Sequence, residues 1–349
     1  MQALYTLIDR LYGGEMLTKE EFVSLIDNHR DQALSAYLFE RARAVREKHY
    51  GKDVYLRGLI EISNYCKNDC LYCGIRKSNK CAERYRLTDE QILASCELGY
   101  RLGYRTFVLQ GGEDENDTDE RIVSLVSKIR ASYPDCAITL SIGEKSRESY
   151  QKYYDAGANR FLLRHETATK AHYDRLHPHN LSHENRIRCL YDLKDIGYQT
   201  GSGFMVGSPY QTHEHLAEDL LFLHRLQPDM VGIGPFIAHK DTPFRNEPSG
   251  TLALTLFMLG LTRLLLPSAL LPATTALGSI QPGGRELGIL AGANVVMPNL
   301  SPENVREKYM LYNGKLHSGA EAAECLDALK KSMENIGYRV AMVRGDRKQ

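Results

Sequence analysis

Eight short runs rich in β-branched residues recur along the chain, at 54–63, 106–111, 137–142, 160–165, 200–206, 230–236, 271–276 and 294–297. Between them lie polar or glycine-containing loops and segments with helical periodicity, among them TDEQILASCELGYRLGY, DERIVSLVSKIRASY and HENRIRCLYDLKDIGY. Strands joined by helices run parallel, because a crossover returns the chain to the edge where the last strand began. Eight such units are the number that closes a TIM-type barrel. The spacing therefore predicts an α/β fold with a single (β/α)8 barrel over 51–300. Residues 1–50 read as an N-terminal helical extension: TKEEFVSLIDN carries a capping box, and DQALSAYLFERARAVREKHYG keeps a helical period as far as Gly51. Residues 301–349 add helix-like pieces, expected to pack across one end of the barrel as a C-terminal tail.

Charge and hydropathy limit the partners. Lys plus Arg and Asp plus Glu both number 44, so no overall basic field is present to hold a nucleic acid, and a small ligand is expected. The apolar stretch 252–278 is cut by Arg263, Pro267 and Pro272, too soon to span a bilayer. The N-terminus has no uninterrupted apolar region of the secretory kind, and a cytoplasmic protein is expected. Cys81, Cys96, Cys136, Cys189 and Cys325 are scattered without pairing spacing, which suits a reducing compartment.

The remaining cysteines, Cys66, Cys70 and Cys73, form a Cys-x3-Cys-x2-Cys run directly after the first strand-like segment. Three thiolates are one ligand short of the usual complement of a four-iron cluster, so one iron would stay open to a small molecule. Zinc is the competing metal, although its structural sites close with a second pair of ligands that this sequence lacks. Three bare thiols are the remaining alternative, and exposed thiols so close together would oxidise readily.

Active sites of these barrels gather at the C-terminal ends of the strands. The cysteine run belongs there, as do Gln110 and the GGED loop, Ser141 to Glu144, and Arg164, His165 and Glu166; Thr274 and Thr275 are expected within strand seven. His165 reads either as a proton donor or as a structural histidine, since strand alternation turns it away from Glu166.

A barrel whose first loop carries this cysteine run, with an aromatic residue before the last cysteine and GGE after the second strand, resembles the radical S-adenosylmethionine (SAM) superfamily. RGLIEISNYCKNDCLYCGIR, LQGGED, RFLLRHETA, MVGIGPFIAHKDTP, PATTALGSIQPGGRE and GANVVMPN narrow the similarity to the HydE family of [FeFe]-hydrogenase maturases over nearly the whole chain. The resemblance implies an enzyme with two cofactors, a [4Fe-4S] cluster on Cys66, Cys70 and Cys73 and SAM chelated by its open iron. It implies reductive cleavage of SAM to a 5′-deoxyadenosyl radical, used in assembling the diiron subcluster of the hydrogenase H-cluster. The substrate would be a cysteine-bound iron carbonyl cyanide unit, prepared for its dithiomethylamine bridge. By the same resemblance Tyr72, Gln110, Gly112, Ser141, Glu166 and Arg186 contact SAM. Arg57, Arg160, Arg164, Thr274, Thr275, Met230 and Tyr309 surround the substrate. Arg57 and Arg160 have the plainer reading of pairing with acids such as Glu61 or Glu144, Met230 that of core, and Tyr309 that of tail packing. Partners implied are a low-potential electron donor such as a ferredoxin or flavodoxin, and the other hydrogenase maturases. Some family members carry a second cluster near the C-terminus; with only Cys325 beyond residue 300, none is expected here. Methylornithine synthase is the enzymatic rival, and a non-catalytic Fe–S or zinc protein the rival of another class. Biotin synthase is disfavoured because no cysteine lies deep in a strand.

Overall fold

The computed structural model describes residues 2–317 and 319–348; Met1, Ser318 and Gln349 lie outside the described residues. Three helices come first, α1 (Gln2–Tyr12), α2 (Lys19–Asp27) and α3 (Gln32–Tyr50). The capping box at Thr18 forms as read: its hydroxyl accepts from the Glu21 N–H, and the Glu21 carboxylate accepts from the Thr18 N–H. Gly51 ends α3 with a positive φ of 57°, where a side chain would be strained.

Eleven strands follow among the described residues: β1 (Asp53–Leu56), β2 (Gly58–Ser63), β3 (Thr106–Gly111), β4 (Ala137–Ser141), β5 (Arg160–Leu162), β6 (Gln199–Ser202), β7 (Met205–Val206), β8 (Met230–Val231), β9 (Gly234–Pro235), β10 (Val295–Val296) and β11 (Arg339–Ala341). Helices α4 (Asp89–Arg101), α5 (Asp119–Ser132), α6 (Arg147–Asp155), α7 (Lys170–Leu176), α8 (His183–Ile196) and α9 (His213–Leu226) connect them. Further along come α10 (Leu252–Leu265), α11 (Thr275–Ile280), α12 (Gly284–Leu290), α13 (Glu303–Arg306) and α14 (Leu326–Asn335). The N-terminal helices dock on the outer layer, α3 against α10 and α2 against α9, and bury Phe22, Leu25, Leu34 and Leu38.

β2-β3-β4-β5-β6-β8 form one parallel sheet in that order. This extended ladder is open, and single parallel bridges span the gap: Met230 with Leu270, Pro272 with Val295, and Asn299 with Leu59. The architecture is thus the α/β, barrel-like one expected, with the seventh and eighth places reduced to bridges.

Three expected strands divide. The run 54–63 breaks at Arg57 into β1, which pairs outside the main sheet with β10 and β11, and β2, which enters it. The runs 200–206 and 230–236 each split as well, and their outer halves β7 and β9 pair with each other. Hydrophobic patterning marks where a buried strand lies but not where it leaves its sheet. Thr274 and Thr275 are not in a strand: Thr274 precedes α11 as its cap position and Thr275 opens the helix.

Candidate active site

β2 ends at Ser63, and the chain then turns through Asn64 and Tyr65 into the cysteine run. Asn64 shapes the turn by donating to the carbonyls of Glu83 (2.8 Å) and Lys308 (2.7 Å) and accepting from the Tyr85 N–H at 2.8 Å. Arg84 gathers the carbonyls of Asn64, Ile75 and Arg76 on the far side of the loop. The loop is therefore folded by its own backbone acceptors, before any cofactor is considered.

The GGED loop after β3 backs this turn. Asp114 accepts from Ser63 Oγ at 2.6 Å and from both arms of Arg86, and the Lys67 N–H donates to the Glu113 carbonyl at 2.9 Å. Burial would raise the Asp114 carboxyl, but Arg86 and Ser63 hold it below the usual carboxylate range. A Cβ on Gly112 would lie 2.2 Å from the Tyr65 carbonyl and 2.8 Å from Cys66 Cβ, so only glycine permits this approach.

Cys66, Cys70 and Cys73 are free, half-buried thiols that face one another closely enough to interact electrostatically. Burial first, then the neighbouring sulfurs, pushes Cys70 well above the usual thiol range and Cys73 up to about 12. Backbone N–H groups of Asn68 and Glu113 point at the Cys66 sulfur, and that of Ile75 at Cys73. Such donors stabilise thiolate ligands and tune a cluster's potential. Among the described residues no group of three His, Cys, Asp or Glu side chains is gathered tightly enough for a single metal ion. A four-iron cluster gives each cysteine its own iron, so it needs the thiols to face one space rather than meet at a point. The residues fit that group.

Polar and charged side chains surround the thiols. Gln110 and Ser141 are direct cross-strand neighbours, at the C-terminal ends of β3 and β4, and Glu61 is level with Gln110 on β2. Arg164 and Glu166 share one face after β5 and form an ion pair of 3.2 Å, while Leu163 before them and His165 between them are buried on the other face. Glu166 has φ 65°, an uncommon conformation for a side-chain-bearing residue. Arg186 on α8 contacts Glu144 at 2.7 Å, with Glu113 at 4.0 Å. Burial opposes its charge, yet these carboxylates raise its pKa well above the ordinary value. Arg186 Nε faces Glu144 Oε1 and Arg164 Nη2 faces Glu166 Oε2 as ion pairs without an aligned hydrogen bond, and Arg164 Nε has no partner. Two buried ion pairs with spare hydrogen-bonding capacity beside the thiols suit a polar ligand. Tyr72 lies within electrostatic reach of Glu166, Cys70, Cys73 and Arg186.

The expected substrate residues separate. Tyr309 is buried against this site, interacting with Gln110, Glu61 and Cys73. Thr274 has an unpartnered, buried hydroxyl, whereas Thr275 donates to Glu321 at 2.9 Å. Arg57, Arg160 and Met230 do not join the thiols: they sit at the N-terminal ends of β2, β5 and β8. Arg160 is fully buried and held by Gln199, Thr106 and Asp346 of the tail. Arg57 donates to Met230 Sδ at 3.0 Å and leaves Nε and Nη2 unpartnered. The acids expected to pair with these arginines are engaged elsewhere, Glu61 with Lys315 and Glu144 with Arg186. His165 is structural: it is fully buried, bonded to Ser202 Oγ at 2.8 Å and beside Asp219, and burial pushes it down to about 3. Sequence reading missed His177, which meets Tyr72 edge-on, and Tyr173, which stacks on His177; no spacing in 170–177 marks them.

Residues 60–223 match the model of the radical SAM superfamily. The HydE subunit of the [FeFe] hydrogenase maturase of Thermotoga maritima is 46% identical over 319 residues, 91% of each chain. The 3-methylornithine synthase of Methanosarcina barkeri is 28% identical, over 96% of this chain and 94% of its own. Among solved structures, methylornithine synthase (PylB) superposes with a TM-score of 0.84 at 26% identity, covering 96% of this chain and 97% of that one. HydG, a maturase of the [FeFe]-hydrogenase, gives 0.82 at 19% identity over 98% of this chain and 76% of its own, a likeness of fold. Near-complete coverage at 46% identity, on a site whose three thiols and buried ion pairs suit a cluster and a zwitterionic ligand, shows that the chain belongs to the HydE family of radical SAM enzymes.

Proposed function

We propose that this chain is a maturase that uses SAM radical chemistry in assembling the diiron subcluster of the [FeFe]-hydrogenase H-cluster, acting on a cysteine-bound iron carbonyl cyanide precursor on its way to the dithiomethylamine bridge. The observation that carries the reading is the convergence of three thiols, two of them facing backbone N–H groups, with the buried Arg186–Glu144 and Arg164–Glu166 pairs. When bound, the [4Fe-4S] cluster and SAM supply the electron and the 5′-deoxyadenosyl radical. Cys66, Cys70 and Cys73 hold the cluster. Glu166 and Arg186 offer the carboxylate and guanidinium that bind hydroxyl, amino and carboxylate groups of SAM, with Tyr72, Gln110, Gly112 and Ser141 shaping its bed.

For the substrate, the groups at the cluster end that an anionic metal complex would take are the Arg164 guanidinium, beside Glu166, and the unpartnered Thr274 hydroxyl. Tyr309 walls the same space. Arg57 and Met230 pair with each other at the opposite end of the sheet, where Arg160 takes Asp346, and Thr275 donates to Glu321. A low-potential donor such as a ferredoxin or flavodoxin would deliver the electron, and other maturases the substrate, in the cytoplasm. Among the described residues no helix is long and apolar enough to cross a membrane.

The test is anaerobic reconstitution with iron and sulfide, reduction, and addition of SAM. A SAM-perturbed [4Fe-4S]+ electron paramagnetic resonance (EPR) signal and formation of 5′-deoxyadenosine are expected, both lost in Cys70→Ser. A protein that takes up zinc, or whose cluster ignores SAM, would sink the reading. The near-complete superposition on methylornithine synthase favours a second reading as a methylornithine synthase-like radical SAM enzyme. Formation of 3-methylornithine would select it.

A further inference from the structure

The cluster loop is gripped from outside by one residue with no role so far. His177 follows the last residue of α7 and is 2% exposed. Its Nδ1 is 3.0 Å from the Tyr173 carbonyl, and a carbonyl can only accept, so Nδ1 carries the proton. Nε2 is then an acceptor, and it lies 3.1 Å from the Tyr72 hydroxyl, which must donate. Burial holds the imidazole neutral, with its pKa pushed down to about 3.

The rings reinforce the bond. His177 stacks on Tyr173 at 3.9 Å with 21° between planes and meets Tyr72 edge-on at 5.4 Å and 89°. One residue earlier, the Leu176 carbonyl accepts the Leu71 N–H at 2.9 Å. Residues 71 and 72, between the second and third thiols, are thus held by backbone and side chain from residues 176 and 177. His177 has φ −124° and ψ 154°, the extended conformation favoured before Pro178. The clamp is therefore set in its own backbone. Tyr173 in turn interacts with Arg186, so the stack joins the thiol side of the site to the guanidinium side.

We propose that His177 is a positioning residue: by accepting the Tyr72 hydroxyl and stacking on Tyr173, it fixes the plane of the Tyr72 ring against bound SAM. The inference rests on the radical SAM reading of the site above. Free to turn about its side-chain bonds, the Tyr72 ring would have to be ordered each time SAM binds, and the clamp removes that cost in advance.

The test uses reconstituted holoprotein with SAM titrated against its EPR spectrum. His177→Phe keeps a ring to stack and removes the acceptor; Tyr72→Phe removes the donor; His177→Gln restores an acceptor near the Nε2 position. Loss of one buried hydrogen bond corresponds to about tenfold weaker SAM binding. Both phenylalanine variants are expected to show that loss and a changed SAM-bound spectrum, with unchanged iron and sulfide content and an unchanged spectrum without SAM. The double variant is expected to bind no more weakly than either single, because both remove the same bond, and His177→Gln to recover most of the affinity. Parental affinity in Tyr72→Phe, or additive losses in the double variant, overturns the proposal. Should His177→Phe fail to take up a cluster, Tyr72→Phe, with His177 intact, still decides. A parent cluster that ignores SAM would instead overturn the radical SAM reading itself.

Discussion

At the residue scale, the site depends on where a side chain is missing as much as on where one is present. Gly112 lets the loop after β3 lie on the turn that carries Cys66, and the atom nearest its absent Cβ, the Tyr65 carbonyl, is backbone that cannot swing aside. Gly112→Ala is accordingly expected to lower the iron and sulfide bound per chain while leaving the fold intact, as iron analysis and circular dichroism would show. Glu166 is the opposite case, a long side chain held at φ 65° to aim its carboxylate at the site. Glu166→Gln removes the charge and keeps the shape. SAM should bind about tenfold or more weakly, the scale of a lost charge-assisted bond, with cluster content unchanged; unchanged affinity in a SAM titration would remove Glu166 from the binding set. Both residues stood out in the sequence, Gly112 in the GGED loop and Glu166 at the end of the fourth strand-like run, and the family resemblance implied their place at SAM. His177 did not stand out, because the bond it makes reaches a residue 105 positions away.

At the element scale, the strand ends and the tail decide what each end of the sheet does. Arg160 reads as a mouth residue from sequence, yet it opens β5 rather than closing it. There it takes Asp346 at 2.6 Å, together with the Arg344 and Gly345 carbonyls. The tail segment thereby plugs the N-terminal end of the sheet, and the C-terminal end is left to the cluster loop. Burial tends to raise the Asp346 carboxyl, but Arg160 and Gln199 hold it below the usual value near 4. Because the folded pKa is the lower one, the pair's contribution is complete above about pH 4 and is lost as pH falls through the folded value. Asp346 is part-exposed, so the contribution is discounted to about 1 kcal/mol. Asp346→Asn should lower the melting temperature by about 2 °C at pH 7, with the gap to the parent closing as the pH is taken below 4.

At the scale of the whole molecule, contacts between distant parts of the chain close the site. Lys315 in the tail reaches Glu61 on β2, 254 positions earlier, and also bonds the Tyr309 carbonyl at 3.0 Å. Asn299 gives Glu61 a second donor at 2.9 Å. Glu61 is fully buried, so Lys315→Met strands a buried carboxylate and should destabilise the fold by about 3–5 kcal/mol. Lys315→Met with Glu61→Gln should recover part of that loss in urea unfolding, since no charge is then left unpaired.

Legible from sequence were the alternation of strands and helices, the cysteine run with its glycine-bearing backing loop, and the polar residues Arg164, His165 and Glu166 at one strand's end. Each of these rests on short-range rules: side-chain period, capping, and ligand spacing. Long-range packing set the division of residues 54–63 between two sheets, the single bridges at the seventh and eighth barrel places, and the turn of Arg160 toward the tail. It also decided that His177 and Lys315 hold the site from outside. Those outcomes turn on which buried polar group finds which partner across a hundred residues or more, and a buried group is satisfied by whatever the finished packing brings beside it.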